Sequence, residues 1–183
     1  MNDFNKKAQQ IRLFISDVDG VLTDGKLYIG GPGVEQKCFH IRDGYGLKLL
    51  QQKGIQVVLL SGRYSEATAS RARELGIIDV NQGIEDKLSF YQQLLQDKGL
   101  KHEHVVYIGD DLMDIPVLLR VGLSATVADG AREAKKVVDY VTRRKGGDGA
   151  IREMAELILM AQGKWDGIIK DLGFEPEQFS KRL

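Results

Sequence analysis

Short apolar, β-rich runs alternate regularly with segments of helical character along this chain. The β-rich runs fall at residues 11–16, 56–60, 77–80, 104–108, 123–127 and 139–141. Helices are predicted at residues 43–53, 65–75, 85–98, 112–120, 131–137 and 149–160, several of them ending at a glycine. The runs at 56–60 and 104–108 are almost continuously apolar, as expected for strands covered on both faces. The pattern predicts an α/β fold, a doubly wound, mostly parallel, Rossmann-like sheet with helices on both faces.

A β-hairpin flap is predicted directly after the first strand, at about residues 26–41. Two runs with β propensity flank the turn-forming residues Gly30, Gly31, Pro32 and Gly33. Neither the hairpin segment nor any later connection between the predicted elements carries a large insertion, so no cap domain is expected. The 183 residues fit a single domain spanning 1–183, and no structure is assigned to the mixed C-terminal tail at about 161–183.

Charge and hydropathy indicate which partners to expect. The 26 basic side chains are matched by 26 acidic ones, so the basic surplus typical of a nucleic-acid binder is missing. The N-terminal residues have no apolar signal core, and no run is long enough to cross a bilayer. The single cysteine, Cys38, cannot form an intrachain disulfide, which fits a reducing compartment. We therefore expect a cytoplasmic protein with a small-molecule partner, and neither a nucleic acid nor a membrane.

Acidic, hydroxyl and basic side chains follow the ends of several predicted strands. They are Asp17 and Asp19 after the first strand, Ser61, Gly62 and Arg63 after the second, Lys87 in the helix after the third, and Asp110, Asp111 and Asp114 after the fourth. Ligands of open α/β sheets bind beyond the carboxyl ends of the strands. We therefore expect these distant residues to converge on one rim of the sheet.

This set of residue types is suited to phosphoryl transfer. The carboxylates of Asp17 and Asp110 can hold Mg²⁺, which prefers oxygen ligands and offsets the repulsion between a phosphomonoester and an anionic nucleophile. Lys87 can add a positive charge, and the Ser61 hydroxyl with nearby backbone N–H groups can hold phosphate oxygens. Asp17 is then the candidate nucleophile and Asp19 the candidate general acid and base. The sequence predicts a magnesium-dependent phosphatase that works through an aspartyl-phosphate intermediate.

Taken together, these residues resemble the four motifs of the haloacid dehalogenase superfamily. The motifs are the run DVDGVLT at 17–23, Ser61 at a strand end, Lys87, and the run GDD at 109–111 followed by Asp114. The resemblance implies that the metal ligands are the Asp17 carboxylate, the Asp19 backbone carbonyl and the Asp110 carboxylate. It also implies that Asp111 and Asp114 act behind these ligands or through water.

A narrower resemblance is to the 3-deoxy-D-manno-octulosonate 8-phosphate phosphatase family of lipopolysaccharide sugar synthesis. It is carried by the length, the hairpin, and the runs FHIRDGYG at 39–46 and GGDGAIRE at 146–153. The resemblance implies that the substrate is 3-deoxy-D-manno-octulosonate 8-phosphate. It also implies that the substrate is bound by Gly62, Arg63, Lys87 and Arg152. It further implies a homotetramer in which the hairpin flaps associate and a neighbour helps to close each site, with Arg152 acting in its own or a neighbouring site.

Other interpretations stay open. The substrate could be a related nine-carbon keto-sugar acid phosphate, or the domain could be a non-catalytic, tetramer-forming module. Single residues also have plain structural readings: Ser61 as a helix N-cap, Asp111 or Asp114 as acids favoured by a helix N-terminus, and Arg63 as a solvated charge at the rim.

Overall fold

A parallel sheet forms the centre of the molecule in the computed structural model, which describes residues 3–31 and 34–173. The strands are β1 (Leu13–Ser16), β2 (Tyr28–Ile29), β3 (Glu35–Gln36), β4 (Gln56–Leu60), β5 (Asp79–Asn81), β6 (Val105–Ile108), β7 (Leu123–Thr126) and β8 (Tyr140–Val141). All but β2 and β3 belong to one sheet in the spatial order β5-β4-β1-β6-β7-β8, and every neighbouring pair is parallel. The predicted α/β sheet is confirmed.

Helices precede, connect and follow the strands of the main sheet. They are α1 (Asp3–Gln9), α2 (Ile41–Gln52), α3 (Glu66–Leu75), α4 (Lys87–Lys98), α5 (Ile115–Leu118), α6 (Arg132–Lys135), α7 (Ala150–Ala161) and α8 (Trp165–Asp171). Gly76 and Gly99 end α3 and α4 in the left-handed conformation, as the sequence pattern predicts. The helix predicted at 112–120 is divided into a 3₁₀ turn at Leu112–Asp114 and the short α5.

The two faces of the sheet are covered by different helices. Because side chains alternate along a strand, Phe14 and Val57 face one layer while Leu13 and Val58 face the other. The first layer contains α1, α2, α3, α7 and α8, and the second contains α4, α5 and α6. Such burial on both faces explains why the central strands are continuously apolar, and it confirms the doubly wound arrangement.

The order of the strands fixes where a site can form. From β1 the chain proceeds outward to β4 and β5, then returns to β6 on the other side of β1 and continues outward to β7 and β8. This reversal leaves a crevice at the carboxyl ends of β1 and β6, where ligands of open α/β sheets bind.

The predicted flap is a hairpin, although it is shorter than the range 26–41. Strands β2 and β3 pair antiparallel over Tyr28↔Gln36 and Ile29↔Glu35 only, and α2 already begins at Ile41. Pro32 and Gly33, which belong to the predicted turn, lie outside the described residues.

The tail at 161–183 contains a helix that the sequence analysis left unassigned. Helix α8 follows Gly163, and its Ile168 and Trp165 pack against the core. Residues 174–183 lie outside the described part of the chain. Among the residues described, no helix is long and apolar enough to cross a membrane.

Candidate active site

A cleft of about 280 Å³ opens at the carboxyl edge of the sheet. Its lining consists of Asp17, Asp19, Gly25, Ser61, Gly62, Arg63, Lys87, Asp110, Asp111, Met113 and Asp114. These include every site residue that the sequence predicts apart from Arg152. The convergence follows from the topology, since parallel strands deliver their last residues to the same edge.

Asp17 lies at the centre of this cleft. Its N–H group donates to the carbonyl of Ile108 at 2.9 Å, which extends the β1–β6 ladder and fixes the residue's position. Its Oδ1 accepts a hydrogen bond from the Val18 N–H at 2.7 Å, and its Oδ2 lies 3.1 Å from Nζ of Lys87. Burial, followed by the charge of Asp114, raises the pKa of Asp17 to about 7, although Lys87 acts in the opposite direction.

Asp114 organises the acidic loop after β6. Its Oδ1 accepts hydrogen bonds from Lys87 Nζ at 2.7 Å and from the Tyr107 hydroxyl at 2.6 Å. Its Oδ2 accepts from the backbone N–H groups of Asp110 and Asp111 at 2.9 and 3.0 Å. Both carboxylate oxygens are therefore engaged by the protein, and Asp114 holds Lys87 and the Asp110 loop in one arrangement.

Lys87 and Tyr107 keep fixed protonation states in this network. Burial opposes the charge of Lys87, but the carboxylates of Asp17 and Asp114 outweigh it and raise its pKa above the ordinary value. Burial, followed by the charge of Asp114, also raises the pKa of Tyr107 far above that of a free phenol. Lys87 is thus a cation and Tyr107 a proton donor at neutral pH. Tyr107 belongs to no motif, so its sequence carries no signal of this role.

Asp110 faces Asp17 across the crevice. Three carboxylate oxygens, one each from Asp17, Asp110 and Asp114, lie within 4.8 Å of one another. Burial, followed by the charges of Asp17 and Asp114, raises the pKa of Asp110 to about 8. The close approach of the Asp110 carboxylate to the loop after β1 depends on Gly20. A Cβ atom at Gly20 would stand 2.1 Å from Asp110 Oδ2, and its φ is +84°.

Asp19 contacts the hairpin flap. Its Oδ1 forms an ion pair with Lys37, whereas its Oδ2 is buried and has no hydrogen-bond partner among the described residues. Glu35 of the same hairpin binds Arg63 at 2.8 Å. Lys37 and Glu35 are functional candidates that the motifs do not include. Their spacing by two in the second arm of the predicted hairpin was the available signal, because side chains two residues apart in an extended chain lie on the same side.

Ser61 is buried directly after β4. Its N–H donates to the Asn81 carbonyl at 2.8 Å, and its Oγ accepts from the Arg63 N–H at 3.2 Å. The N-cap residue of α3 is Ser65, so the plain N-cap interpretation of Ser61 is wrong. Asp111, in contrast, does act as an acid at a helix N-terminus. Its Oδ1 accepts a hydrogen bond from the Leu112 N–H at 2.8 Å and caps the 3₁₀ turn.

Known proteins match both the sequence and the fold. A family model of haloacid dehalogenase-like hydrolases matches residues 70–154. The 3-deoxy-D-manno-octulosonate 8-phosphate phosphatase of Yersinia pestis is 47% identical over 166 residues, which cover 91% of this chain and 89% of that protein. The chain belongs to this family of haloacid dehalogenase-like hydrolases. The resemblance seen in the motifs is thereby confirmed.

Solved structures of this family have the same architecture. The Moraxella catarrhalis phosphatase, solved with a magnesium ion, a phosphate ion and a KDO molecule, superposes with a TM-score of 0.92 at 41% identity and covers 94% of this chain and 99% of its own. A cobalt-bound phosphatase from Haemophilus influenzae gives a TM-score of 0.86 at 42% identity, over 92% and 98% of the two chains.

The donor set of this haloacid dehalogenase-like chain fits magnesium. The groups are oxygens only, the ligands that Mg²⁺ prefers. Within this cluster of three, Asp114 is saturated by protein donors, so Asp17 and Asp110 have the capacity left for a cation. In the described chain no group donates a hydrogen bond to the Asp110 carboxylate, so a cation there would also relieve its repulsion with Asp17.

Arg152 is the predicted site residue that the fold does not bring to its own cleft. It lies in α7, where its guanidinium stacks over Tyr45 at 5.3 Å and over Trp165 at 5.5 Å and pairs with Glu156 at 2.6 Å. A contribution of Arg152 to a neighbouring subunit's site stays a prediction.

The glycine-rich loop before α7, in contrast, contacts the first motif of the same chain. The Gly147 N–H donates to the Val21 carbonyl at 2.9 Å, and a Cβ at Gly146 would stand 1.8 Å from the Gly20 carbonyl oxygen. The loop thus supports the segment that carries Asp17 and Asp19.

Proposed function

We propose that this chain is a magnesium-dependent phosphatase that hydrolyses 3-deoxy-D-manno-octulosonate 8-phosphate to the free sugar acid and phosphate. The observation that carries the proposal is the buried Asp17, whose Oδ2 lies 3.1 Å from Lys87 Nζ and which can share a cation with Asp110. The names of the relatives support the substrate, since the Yersinia pestis protein is named for it and the Moraxella catarrhalis structure holds KDO and phosphate.

In this proposal Asp17 is the nucleophile. One of its oxygens attacks phosphorus, the ester P–O bond breaks, and Asp19 gives its proton to the leaving oxygen. Water then attacks the phosphorus of the aspartyl phosphate and gives a proton to Asp19. The bond between phosphorus and the Asp17 oxygen breaks, so phosphate is released and the Asp17 carboxylate is restored. Magnesium, bound by the Asp17 and Asp110 carboxylates and the Asp19 carbonyl, supplies the charge that offsets the anionic phosphate.

The remaining site residues hold the substrate or the reacting groups. Lys87 places a fixed positive charge beside Asp17, and Asp114 keeps it there. The Ser61 hydroxyl and the backbone at Gly62 hold phosphate oxygens. Arg63 stands at the rim, where it can meet the carboxylate of the sugar acid. Asp111 shapes the loop and reaches the metal through water.

We also propose a homotetramer in which the hairpin flaps associate. The flap exposes apolar side chains, among them Ile29 at 75% and Val34 at 57% exposure, which a partner would cover. In such an assembly a neighbour closes each cleft, and Arg152 is available to that neighbour. The proposed location is the cytoplasm, where a soluble, biosynthetic sugar phosphate and magnesium are both at hand.

A substrate panel tests the proposed function. kcat/KM is measured with magnesium for 3-deoxy-D-manno-octulosonate 8-phosphate, a nine-carbon keto-sugar acid phosphate and simple sugar phosphates. The kcat/KM for the octulosonate phosphate should exceed the values for the other substrates by about tenfold or more, because a site built for one substrate discriminates through polar contacts. EDTA should abolish the activity and magnesium should restore it.

The other outcomes distinguish the alternatives. A higher value for the nine-carbon substrate would move the function to that compound. No turnover of any phosphomonoester would identify a non-catalytic module, and turnover in EDTA would contradict the magnesium requirement.

A further inference from the structure

The hairpin flap places one deeply buried cation against Asp19 of the cleft. Lys37 follows β3, and its side chain is 1% exposed although much of the flap is exposed. Its ammonium group forms an ion pair with Oδ1 of Asp19. Lys37 belongs to none of the motifs, and nothing in the reaction described above has yet used it.

A second contact of the flap fixes where Lys37 lies. Glu35 is on the same side of the hairpin, with Oε1 3.4 Å from Lys37 Nζ and Oε2 2.8 Å from Nη2 of Arg63. Arg63 in turn places its Nε 4.0 Å from Oδ2 of Asp19. The four charges alternate in sign around a ring, so the flap is joined both to Asp19 after β1 and to Arg63 after β4.

The two oxygens of Asp19 differ because of this ring. Oδ1 is occupied by Lys37, whereas Oδ2 is buried with no hydrogen-bond partner in the described part of the chain. A buried polar atom without a partner costs free energy, so it marks the position where a further group binds. Oδ1 remains an acceptor whether or not Oδ2 carries a proton, and Lys37 can therefore hold the side chain through both halves of the reaction.

We propose that Lys37 is a positioning residue, which holds Oδ1 of Asp19 so that Oδ2 meets the leaving oxygen of the substrate. The inference rests on the proposed function, in which Asp19 protonates that oxygen. Lys37 contacts the acid and not the substrate. The position of the proton donor is thus set by the flap as well as by the first motif.

The test compares two substrates in the Lys37→Met variant, which keeps the aliphatic stem and removes the charge. For the sugar phosphate, whose leaving alkoxide needs a proton, the single-turnover rate constant for release of the sugar acid should fall by about 10- to 100-fold with KM unchanged. For an aryl phosphate, whose phenolate leaves without a proton, the single-turnover rate constant for phenolate release should fall by less than about threefold. This rate constant is measured because hydrolysis of the aspartyl phosphate, which follows, needs Asp19 for both substrates. Lys37→Arg should restore most of the sugar phosphate activity.

Two controls accompany this test. Lys26→Met removes an exposed lysine just before β2 that pairs with Asp24, and it should change neither substrate's kcat. In an Asp19→Asn background Lys37→Met should cause no further loss, because the group it positions has lost its function. Melting temperatures verify folding, and Lys37→Gln is measured in parallel should the Met variant be unstable.

Equal losses on both substrates would overturn the inference, as would additive losses in the double variant. A raised KM with unchanged kcat would assign Lys37 to substrate binding and overturn it too. Failure of the proposed function looks different, since the wild type would then release no phosphate from either substrate in the presence of magnesium.

Discussion

At the scale of single residues, the charge of Asp17 and Asp110 is the property on which the site depends. Burial, followed by the charge of Asp114, raises the pKa of Asp17 to about 7, and burial, followed by the charges of Asp17 and Asp114, raises that of Asp110 to about 8. A carboxyl group whose pKa is higher in the folded than in the unfolded state binds protons preferentially when folded. Its contribution to stability therefore declines as the pH rises from about 4 to about 8.

Magnesium should reverse this decline, because it binds the deprotonated carboxylates. We expect it to raise the melting temperature more at pH 8 than at pH 5. Asp110→Asn removes one of the repelling charges. That variant should be more stable than the wild type at pH 8 without magnesium, and it should gain little from the ion. Thermal unfolding of both proteins at the two pH values measures this, and a magnesium shift that is equal at both would contradict it.

Gly20 gives a second prediction at this scale. Gly20→Ala should weaken magnesium binding and activity by about tenfold or more, because its Cβ would stand 2.1 Å from Asp110 Oδ2. Gly54→Ala is a matched control, with a similar φ of +82° but nothing within 4 Å of the added atom. Both variants should lose about 1 kcal/mol of stability from backbone strain. Calorimetry of magnesium binding separates them, and equal affinities in the two variants would count against the close approach.

At the scale of elements, Asp43 joins the beginning of α2 to the beginning of α7. Its Oδ2 accepts from the Gly149 N–H at 3.1 Å and its Oδ1 from the Arg152 N–H at 2.8 Å. Asp43 is 1% exposed, and burial raises its pKa. The contact therefore fixes the glycine-rich loop that supports the first motif.

Asp43→Ala should cost about 3 kcal/mol of unfolding free energy, because two N–H groups at the start of α7 lose their acceptor. Asp86→Ala, which removes an exposed N-cap of α4, should cost only about 1 kcal/mol. Urea unfolding at neutral pH gives both values. A cost for Asp43 no larger than that for Asp86 would show that the link between the helices contributes little.

The sequence predicted the elements whose signal is local and missed contacts made between elements. The strands β4 and β6 were evident because burial on both faces requires continuous apolar runs, and Asp17 and Asp110 were placed by the strands that they follow. Lys37 was missed, because its partner lies 18 residues earlier in the chain and the flap must fold back to bring them together. Arg152 was assigned by resemblance alone, and in this chain its partners are Tyr45, Trp165 and Glu156, all outside the cleft.

At the scale of the whole molecule, the exposed apolar side of the flap should control assembly. Ile29→Glu places a charge in the proposed interface and should shift the protein toward smaller species, whereas we expect the wild type to sediment as a tetramer. Ile78→Glu is the matched control, because Ile78 is 95% exposed beside β5, away from the flap. Sedimentation velocity measures both variants, and an unchanged profile for Ile29→Glu would exclude association through the flap.

The most direct test of the account is phosphate release by Asp17→Asn. The substrate is 3-deoxy-D-manno-octulosonate 8-phosphate with saturating magnesium, and the melting temperature verifies that the variant is folded. We predict that kcat falls by about a thousandfold or more, because the amide of asparagine cannot attack phosphorus as a carboxylate does. A folded variant that keeps about a tenth or more of the wild-type rate would contradict the assignment of Asp17 as the nucleophile.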